Sequence, residues 1–164
     1  MQDDRLYVTF APMVAGICWR ILGHQADAED AVQETFLKAC QWAERETIRN
    51  WPGLLRRLAT TSALARLRGR RRSVNAEETE LLSREQSPGE ILERKELQTR
   101  LREAIAKLPP REAEVFCLRY LESLSHEEIV QTLDIPYTAV TSAIYRARKR
   151  LEAEVADLRI EDRQ

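Results

Sequence analysis

The chain has 164 residues, of which 32% are charged and 6% aromatic, and its formal net charge is −1. This length allows one compact domain or two small ones, and the balanced charge excludes indiscriminate nucleic-acid binding through overall charge. The charge is unevenly distributed, because residues 1–72 carry a net +4, residues 73–100 a net −3 and residues 101–164 a net −2. Few glycines, few aromatics and no alternating β-branched run predict an all-α fold.

No apolar run near 18 residues stands out, and the N-terminus, with Asp3 and Asp4, lacks the basic-then-apolar order of a signal peptide. We therefore expect a cytoplasmic protein. Cys18, Cys40 and Cys117 are odd in number and far apart, and both histidines stand alone. This pattern indicates buried thiols rather than a disulfide framework or a metal site, so we expect no cofactor and no metal.

Two helices are predicted in the first 42 residues. From Leu6 to Leu22 the apolar residues keep a helical spacing, and residues 23–25 supply a break. The second helix starts at Asp27, a candidate N-cap, and carries a core-facing stripe of small and apolar residues. Its other face, called the acidic face below, consists of Asp30, Gln33, Glu34, Leu37 and Gln41. Acidic residues near a helix N-terminus also complement the helix dipole, so periodicity alone leaves a purely stabilising role open.

The next segment, residues 44–53, loses helical periodicity and ends in Pro52-Gly53, which predicts a loop. A third helix is expected from Leu54 to Arg72. Its predicted inward residues are Leu55, Leu58, Ala59 and Ala65. Arginines at a helix C-terminus complement the dipole, but five in seven residues exceed that need and suggest phosphate contacts. This arginine cluster consists of Arg66, Arg68, Arg70, Arg71 and Arg72.

Residues 73–88 are polar and acid-rich, which predicts a linker between two domains. Helical patterns resume at Gly89, stop at Pro109-Pro110 and begin again in the first turn after Pro110. Ser125 and Glu128 form a capping box that starts a short helix. Asp134-Ile135-Pro136 is the predicted turn, and a longer helix follows from Thr138 to Leu151. Its predicted core residues are Val140, Ile144, Ala147 and Leu151.

A short helix, a tight turn and a longer helix with a polar, basic outer face predict a helix-turn-helix, whose second helix enters a DNA major groove. Any helical hairpin has a core face and a wet face, which is the alternative interpretation. Hydroxyls near the N-terminal end and basic residues further along suit base and phosphate contacts respectively. The outer face, called the reading face below, consists of Tyr137, Thr138, Thr141, Ser142, Tyr145, Arg146 and Lys149.

Several stretches, in a set order, carry a family resemblance. They are ADAEDAVQETF at residues 26–36, LPPRE at 108–112, YLESLSHEEI at 120–129, IP at 135–136 and YRAR at 145–148. The first is similar to the polymerase-binding signature of bacterial RNA polymerase sigma factors of the extracytoplasmic-function (ECF) group, and the others resemble the promoter-reading domain of that family. The resemblance covers nearly the whole chain. It implies sigma domain 2 in residues 1–72, a linker in residues 73–88 and sigma domain 4 in residues 89–164.

The resemblance further implies a non-enzymatic transcription initiation factor that binds core RNA polymerase and reads minus-ten and minus-thirty-five promoter elements. Its implied partners are the polymerase β′ coiled coil and β subunit, promoter DNA and an anti-sigma factor, without membrane insertion. The implied polymerase contacts are Asp30, Gln33, Glu34 and Leu37. The implied minus-ten contacts, around a loop that captures an extruded base, are Arg49, Asn50, Trp51, Thr61, Arg66, Arg68, Arg70 and Arg71. The implied minus-thirty-five contacts are Thr138, Thr141, Ser142, Tyr145 and Arg146 for bases, with Arg148 and Lys149 nearer phosphates.

The sequence departs from the family pattern on surfaces expected to touch DNA. The departing residues are Leu54, Thr61 and Ala65 in the third helix and Thr138, Thr141 and Ala143 in the recognition helix. The departures in the recognition helix imply weaker minus-thirty-five binding or an unusual target sequence. One rival is a helix-turn-helix regulator that acts without being a polymerase subunit. Another is a small all-α enzyme using Glu29, Asp30 and Glu34, although its helix lacks the Glu-x-x-His pairing of bundle metal sites.

Overall fold

The computed structural model describes the backbone of residues 2–72 and 88–161, and the side chains of residues 4–70 and 88–156. The described residues form only helices and their connections, which confirms the predicted all-α fold. The predicted linker lies outside the described residues except for Pro88. The helices are α1 (Gln2–Leu22), α2 (Gln25–Ala43), α3 (Trp51–Arg72), α4 (Pro88–Lys107), α5 (Pro110–Phe116), a π-helical segment (Cys117–Leu121), α6 (His126–Leu133) and α7 (Tyr137–Glu161).

The break between α1 and α2 is tighter than predicted. Gly23 has a φ of +59°, a conformation that favours glycine, and its N–H donates to the Trp19 carbonyl over 2.8 Å. His24 is then the N-cap of α2, since its Nδ1 accepts from the Asp27 N–H over 3.3 Å. The prediction of Asp27 as the N-cap is wrong, because the left-handed glycine ends α1 and lets the next helix begin at Gln25.

α1 contains a 19-residue stretch, Asp4–Leu22, that is long and apolar enough to cross a membrane by length and composition alone. The prediction that the sequence has no apolar run near 18 residues is therefore wrong. Val14, Ile17 and Ile21 are fully or almost fully buried, in one cluster with apolar residues of α2 and α3. We therefore interpret α1 as a core helix of the N-terminal bundle.

The predicted loop before α3 is shorter than expected. Asn50 receives the Gly53 N–H on its Oδ1 over 3.0 Å, and its carbonyl accepts the Leu54 N–H over 3.1 Å. Trp51-Pro52-Gly53 therefore forms the first turn of α3 instead of a breaker. Proline is tolerated there because a first-turn N–H has no intrahelical acceptor to lose.

The core stripe of α3 also differs from the prediction. Leu55, Leu58 and Ala59 are buried as expected, whereas Ala65 is exposed. Ala65 lies at the edge of the buried stripe, four residues after Thr61, which is also exposed. The additional buried residues are Thr60, Ser62, Ala63, Leu64 and Leu67.

The helix predicted after Pro110 consists of two pieces. α5 ends at Phe116, and a π-helical segment follows in which the Glu122 N–H donates to the Cys117 carbonyl over 3.1 Å. Ser123 then adopts a φ of +56°, and the chain turns into α6. The apolar spacing after Pro110 predicts Tyr120 on the core-facing stripe of this helix, but this residue of the π-helical segment is 45% exposed.

The predicted helix-turn-helix is present. Ser125 and Glu128 form the reciprocal capping box, and Asp134 makes the turn with φ 53° and ψ 51°. The predicted core residues of α7 are buried, as are Ile129 and Leu133 of α6. Ala143 is fully buried in this core, so counting it among the DNA-facing departures was wrong.

The C-terminal helices pack directly on the N-terminal bundle. One apolar cluster joins α1, α2 and α3 to Ile105, Leu108 and Ala113 of the C-terminal half. A bidentate ion pair crosses the same boundary, since Arg20 Nε and Nη2 donate to Glu122 Oε1 and Oε2 over 2.8 and 2.7 Å. The two halves are therefore held together by both apolar contact and charge.

The three cysteines form no disulfide, and two of them are buried while one is half-buried. Burial raises the pKa of Cys18 to about 11 and that of Cys117 to about 12. Because the thiolate is the reactive form, these two thiols are chemically quiet at neutral pH. Cys40 is half-buried instead of buried as predicted.

Candidate functional site

The acidic face of α2 lies on the outside of the N-terminal bundle. Leu37 is 62% exposed, and Gln33 and Gln41 are exposed beside it. Ala28, Ala31, Val32, Thr35, Phe36 and Ala39, the opposite stripe of the same helix, are buried. A leucine this exposed has few apolar neighbours of its own, so α2 presents an apolar contact point set among polar and acidic groups.

The carboxylates of this face are braced by basic side chains. Glu34 lies 2.6 Å from Lys38 Nζ and 3.6 Å from Arg66 Nε, and Asp30 lies 3.4 Å from Arg66 Nη1. Lys38 also donates to Ser62 of α3 over 3.3 Å. The acidic face is therefore pre-organised by α3, and its carboxylates are partly neutralised within the chain.

The loop residues predicted to meet the minus-ten strand have different environments. Arg49 is exposed, Asn50 is occupied as the N-cap of α3, and Trp51 is half-buried against the bundle core. Thr61, which lies within α3, is exposed. Its hydroxyl lies 3.0 Å from the Arg57 and Leu58 carbonyls. The exposed residues of this set are thus Arg49, Asn50 and Thr61, and Trp51 anchors the loop.

The arginine cluster does not form a single cationic tip. Arg66 pairs with the acidic face, and Arg70 donates from Nη1 to the Leu22 carbonyl over 3.0 Å while its Nε lies 3.7 Å from Asp27. Successive side chains on a helix point in different directions, so residues two apart cannot share one face. Arg68 points toward the C-terminal half. The side chains of Arg71 and Arg72 lie outside the described residues.

The C-terminal half presents carboxylates to these arginines. Burial raises the pKa of Glu114, while the positive charges of Arg111, Arg57 and Arg68 act in the opposite direction. Arg111 Nη1 donates to Glu114 over 3.1 Å. Glu114 is therefore a buried carboxylate in a basic environment formed by α3 and α5, and Arg68 of the predicted minus-ten set faces the C-terminal half.

The reading face of α7 is largely open. The exposed members of the predicted minus-thirty-five set are Thr138, Ser142, Tyr145, Arg146, Arg148 and Lys149. Thr141 is half-buried, and its hydroxyl donates to the Thr138 carbonyl over 3.1 Å. Lys149 Nζ lies 4.9 Å above the Tyr145 ring, a cation–π contact that orients both side chains. The structure thus brings most of the predicted residues together on one surface.

Several charged residues that the sequence interpretation passed over contribute to these surfaces. Arg20 and Glu122 join the halves, Arg57 faces Glu114, and Glu112 binds two arginines of α7. No local sequence signal identifies such pairs, because their partners lie far apart in the chain. Among the described residues, no cluster of three or more His, Cys, Asp or Glu side chains has a geometry for metal binding.

An open helix-turn-helix in the second half indicates a DNA-binding protein. Comparison with protein families places the chain more narrowly. Residues 6–73 match the model for sigma-70 region 2, and residues 98–151 match the model for sigma-70 region 4. The two matches together cover most of the chain in the predicted order.

Individual relatives agree. The chain is 31% identical to the ECF RNA polymerase sigma factor SigE of Mycolicibacterium smegmatis over 93% of its own length and 61% of that protein. It is 29% identical to SigW of Bacillus subtilis over 87% of its length and 82% of the relative. It is also 31% identical to the ECF sigma-E factor of Haemophilus influenzae, over 88% and 82% of the two chains.

The chain therefore belongs to the ECF group of RNA polymerase sigma factors, which are promoter-directing transcription initiation factors. The rival of a regulator that never joins polymerase is not favoured. Among solved structures, the sigma factor RpoE of Bartonella quintana, crystallised with the anti-sigma factor NepR, has a similar fold. Its TM-score is 0.55 at 20% identity, covering 93% of this chain and 96% of that one.

Proposed function

We propose that the acidic face of α2 is the surface through which this chain binds core RNA polymerase, at the β′ coiled coil. The exposed Leu37 within a braced acidic face carries the proposal. An apolar anchor ringed by charges is the usual anatomy of a protein interface, in which the anchor supplies affinity and the rim supplies orientation. Asp30, Gln33 and Glu34 form that rim on this chain.

The bracing by α3 supports a docking role. Rotamers that are already fixed lose less entropy on binding, so the contacts of Arg66 to Asp30 and Glu34 favour association. The pairs also shape the charge of the face, because Arg66 and Lys38 leave it less acidic than the sequence suggests. A partner surface with scattered basic groups complements this arrangement better than a strongly cationic one.

Co-elution with sigma-free core polymerase tests this proposal. Leu37→Lys removes the anchor from a position that is 62% exposed, and we expect at least a tenfold loss of core affinity with an unchanged unfolding transition. Leu97→Lys on α4 is the matched control, since Leu97 is 65% exposed on another helix. Equal core affinity of both variants and the wild type would exclude α2 as the docking surface. Failure of the wild type to bind core polymerase would refute the proposal.

Glu34→Lys is a less suitable variant for testing this surface. It would place a positive charge beside Lys38 and Arg66, which now neutralise the Glu34 carboxylate. Repulsion would disturb the contact between α2 and α3 in addition to any polymerase contact. Gln33→Lys is a better companion variant, because Gln33 is exposed and carries no charge.

For the minus-ten element, we propose that the segment from residue 44 to Trp51 captures an extruded base. Trp51 fixes the end of this segment, and the exposed Arg49 and Thr61 lie free to contact the strand. The arginines of α3 contribute to binding of the DNA backbone only if phosphates replace the carboxylates that Arg66 and Arg70 now contact. We expect Arg49→Ala to reduce promoter opening more than duplex binding, which permanganate footprinting of the melted region would measure.

For the minus-thirty-five element, we propose that Thr138, Ser142, Tyr145 and Arg146 contact bases, with Arg148 and Lys149 on phosphates. Hydroxyl and guanidinium donors at the exposed surface of α7 suit major-groove edges. Arg146→Ala should lower discrimination among minus-thirty-five sequences by about tenfold in a competition assay. Retained discrimination would exclude Arg146 as a base contact.

This role requires no catalytic step by the chain itself and no cofactor. It acts on polymerase and promoter DNA, which supports a cytoplasmic location without membrane insertion. The crystallised RpoE was bound to an anti-sigma factor, and we propose a partner of that kind here as well. Pull-down of this chain with proteins encoded beside it would test for such a partner.

A further inference from the structure

Glu112 is a buried carboxylate shared by two arginines of the recognition helix. It lies in the first turn of α5, and its side chain is 7% exposed. Arg146 Nε donates to Oε1 over 3.2 Å, and Arg150 Nε lies 2.9 Å from Oε2. The second contact falls outside hydrogen-bond geometry, so it acts mainly by Coulombic attraction. The two arginines are one helical turn apart, on the flank of α7 that faces α5.

Both arginines keep a surface toward solvent. Each side chain is 56% exposed although its Nε is directed at Glu112. A guanidinium has five N–H donors in a rigid fork, so a contact through Nε leaves donors on the terminal nitrogens. Arg146 directly follows Tyr145, an exposed member of the reading face. Its terminal nitrogens are thus held at the border of the surface that meets DNA.

We propose that Glu112 is a positioning residue for minus-thirty-five recognition, which rests on the function proposed for α7. It holds the Arg146 guanidinium in place for a bidentate contact to a guanine edge, and it limits the freedom of Arg150 to pair with phosphates of any sequence. Glu112 does not contact DNA itself. It increases the difference between specific and non-specific binding.

Stability alone does not account for this arrangement. A buried ion pair contributes little net stability, since desolvation offsets most of the attraction. The apolar core of the helix-turn-helix is complete without Glu112, because it is formed by residues such as Leu118, Ile129 and Val140. The main physical consequence of Glu112 is therefore the orientation and charge of α7 at its DNA side.

Holoenzyme reconstituted from the full chain and core polymerase provides the test. The wild type first selects its preferred minus-thirty-five duplex from a randomised library, and Kd is then measured for that duplex and a scrambled one. Glu112→Gln should reduce the affinity ratio between them by about tenfold. Binding to the scrambled duplex should stay equal or tighten, and its salt slope should steepen by about one unit, because a carboxylate charge is lost and an arginine is released.

Three further variants make the result specific. In an Arg146→Gln background, Glu112→Gln should change the ratio by less than about twofold, because the residue it orients is gone. Glu112→Asp keeps the negative charge but has a shorter side chain. It should therefore lower the ratio of affinities for the selected and scrambled duplexes without tightening binding to the scrambled duplex. Glu103→Gln, an exposed carboxylate on α4, removes the same charge and should leave the ratio unchanged.

A parallel fall of both affinities together with a lower melting temperature would show a purely structural role and would overturn the proposal. So would an unchanged ratio in folded Glu112→Gln. If Glu112→Gln does not fold, the Glu112→Asp result decides, and an unchanged ratio there has the same consequence. Selection of no sequence by the wild type would instead contradict the proposed function of α7, which keeps the two failures distinct.

Discussion

The ion pair between Arg20 and Glu122 should hold the two halves of the free protein together, and a double-mutant cycle can measure its strength. The contact is bidentate, at 2.8 and 2.7 Å, with the Glu122 side chain 7% exposed and the Arg20 side chain 45% exposed. The Glu122 carboxylate raises the pKa of Arg20, so the arginine stays charged at every accessible pH.

The magnitude follows from this asymmetry. A fully buried charged hydrogen bond would contribute about 1.5–3 kcal/mol, but solvent screening at the exposed Arg20 reduces that to about 1–2 kcal/mol. Arg20→Gln should cost about 2 kcal/mol, because it leaves the buried Glu122 charge without its partner. Glu122→Gln should cost about 1 kcal/mol, and the double variant should cost about 1 kcal/mol less than the sum of the single variants.

Urea unfolding of the four proteins at low and high salt gives the free energies, and small-angle scattering gives the dimensions of the free chain. We expect Arg20→Gln to increase the radius of gyration and to weaken the coupling between the two halves. Additive effects within about 0.3 kcal/mol, together with unchanged dimensions, would show that apolar contact alone joins the halves.

Other predictions concern local features. Ser125→Ala should cost about 1 kcal/mol in urea unfolding, because it removes the acceptor of the Glu128 N–H at 3.1 Å, and no loss would contradict the capping role. Gly23→Ala should cost more than about 1 kcal/mol, since its φ is +59° and the new Cβ would come within 2.2 Å of Arg102; a neutral effect would refute this backbone strain. Burial raises the pKa of Glu114, so the folded protein binds this proton more tightly than the unfolded chain does. The contribution of Glu114 to the free energy of unfolding is therefore fully present below the unfolded pKa and is lost as pH rises through the folded pKa. Glu114→Gln should therefore be relatively more stable at pH 7 than at pH 4, and the same difference from wild type at both pH values would contradict this.

The closed packing of the two halves also bears on DNA binding. Arg57 and Arg68 of α3 lie in the field of Glu114, and Arg20 is committed to Glu122. Basic groups of the N-terminal bundle are thus partly neutralised by carboxylates of the C-terminal half. A net positive charge for residues 1–72 consequently overstates the positive potential that this half offers to phosphates in the free chain.

Elements whose causes are local could be predicted from the amino-acid sequence. Helical spacing predicted the buried stripe of α2, the capping box at Ser125 predicted the start of α6, and the core positions of α7 followed from a repeat of three and four residues. These features depend on residues within one or two turns of each other. The ordered motifs also indicated the sigma factor family, because each motif is contiguous.

Boundaries set by unusual backbone geometry were harder to predict. The sequence pattern predicts Asp27 as the N-cap of α2, but the N-cap is His24. It also predicts Pro52-Gly53 as a helix breaker, but these residues lie in the first turn of α3. The π-helical segment before Glu122 widens a helix that the pattern predicted to be regular. In each case the outcome depends on one φ angle or one hydrogen bond, to which residue type gives little guidance.

The partners of the charged side chains could be identified only in the folded chain. The arginines of α3 resembled a single phosphate site in sequence, yet Arg66 braces the acidic face, Arg70 caps α1 and Arg68 faces the C-terminal half. Glu112 contacts Arg146 across 34 positions of sequence. Charge pairing depends on distance in space and on burial, and neither can be derived from spacing along one helix. The sequence therefore specified which surfaces exist, and the folded chain determined which charges on them remain available to a partner.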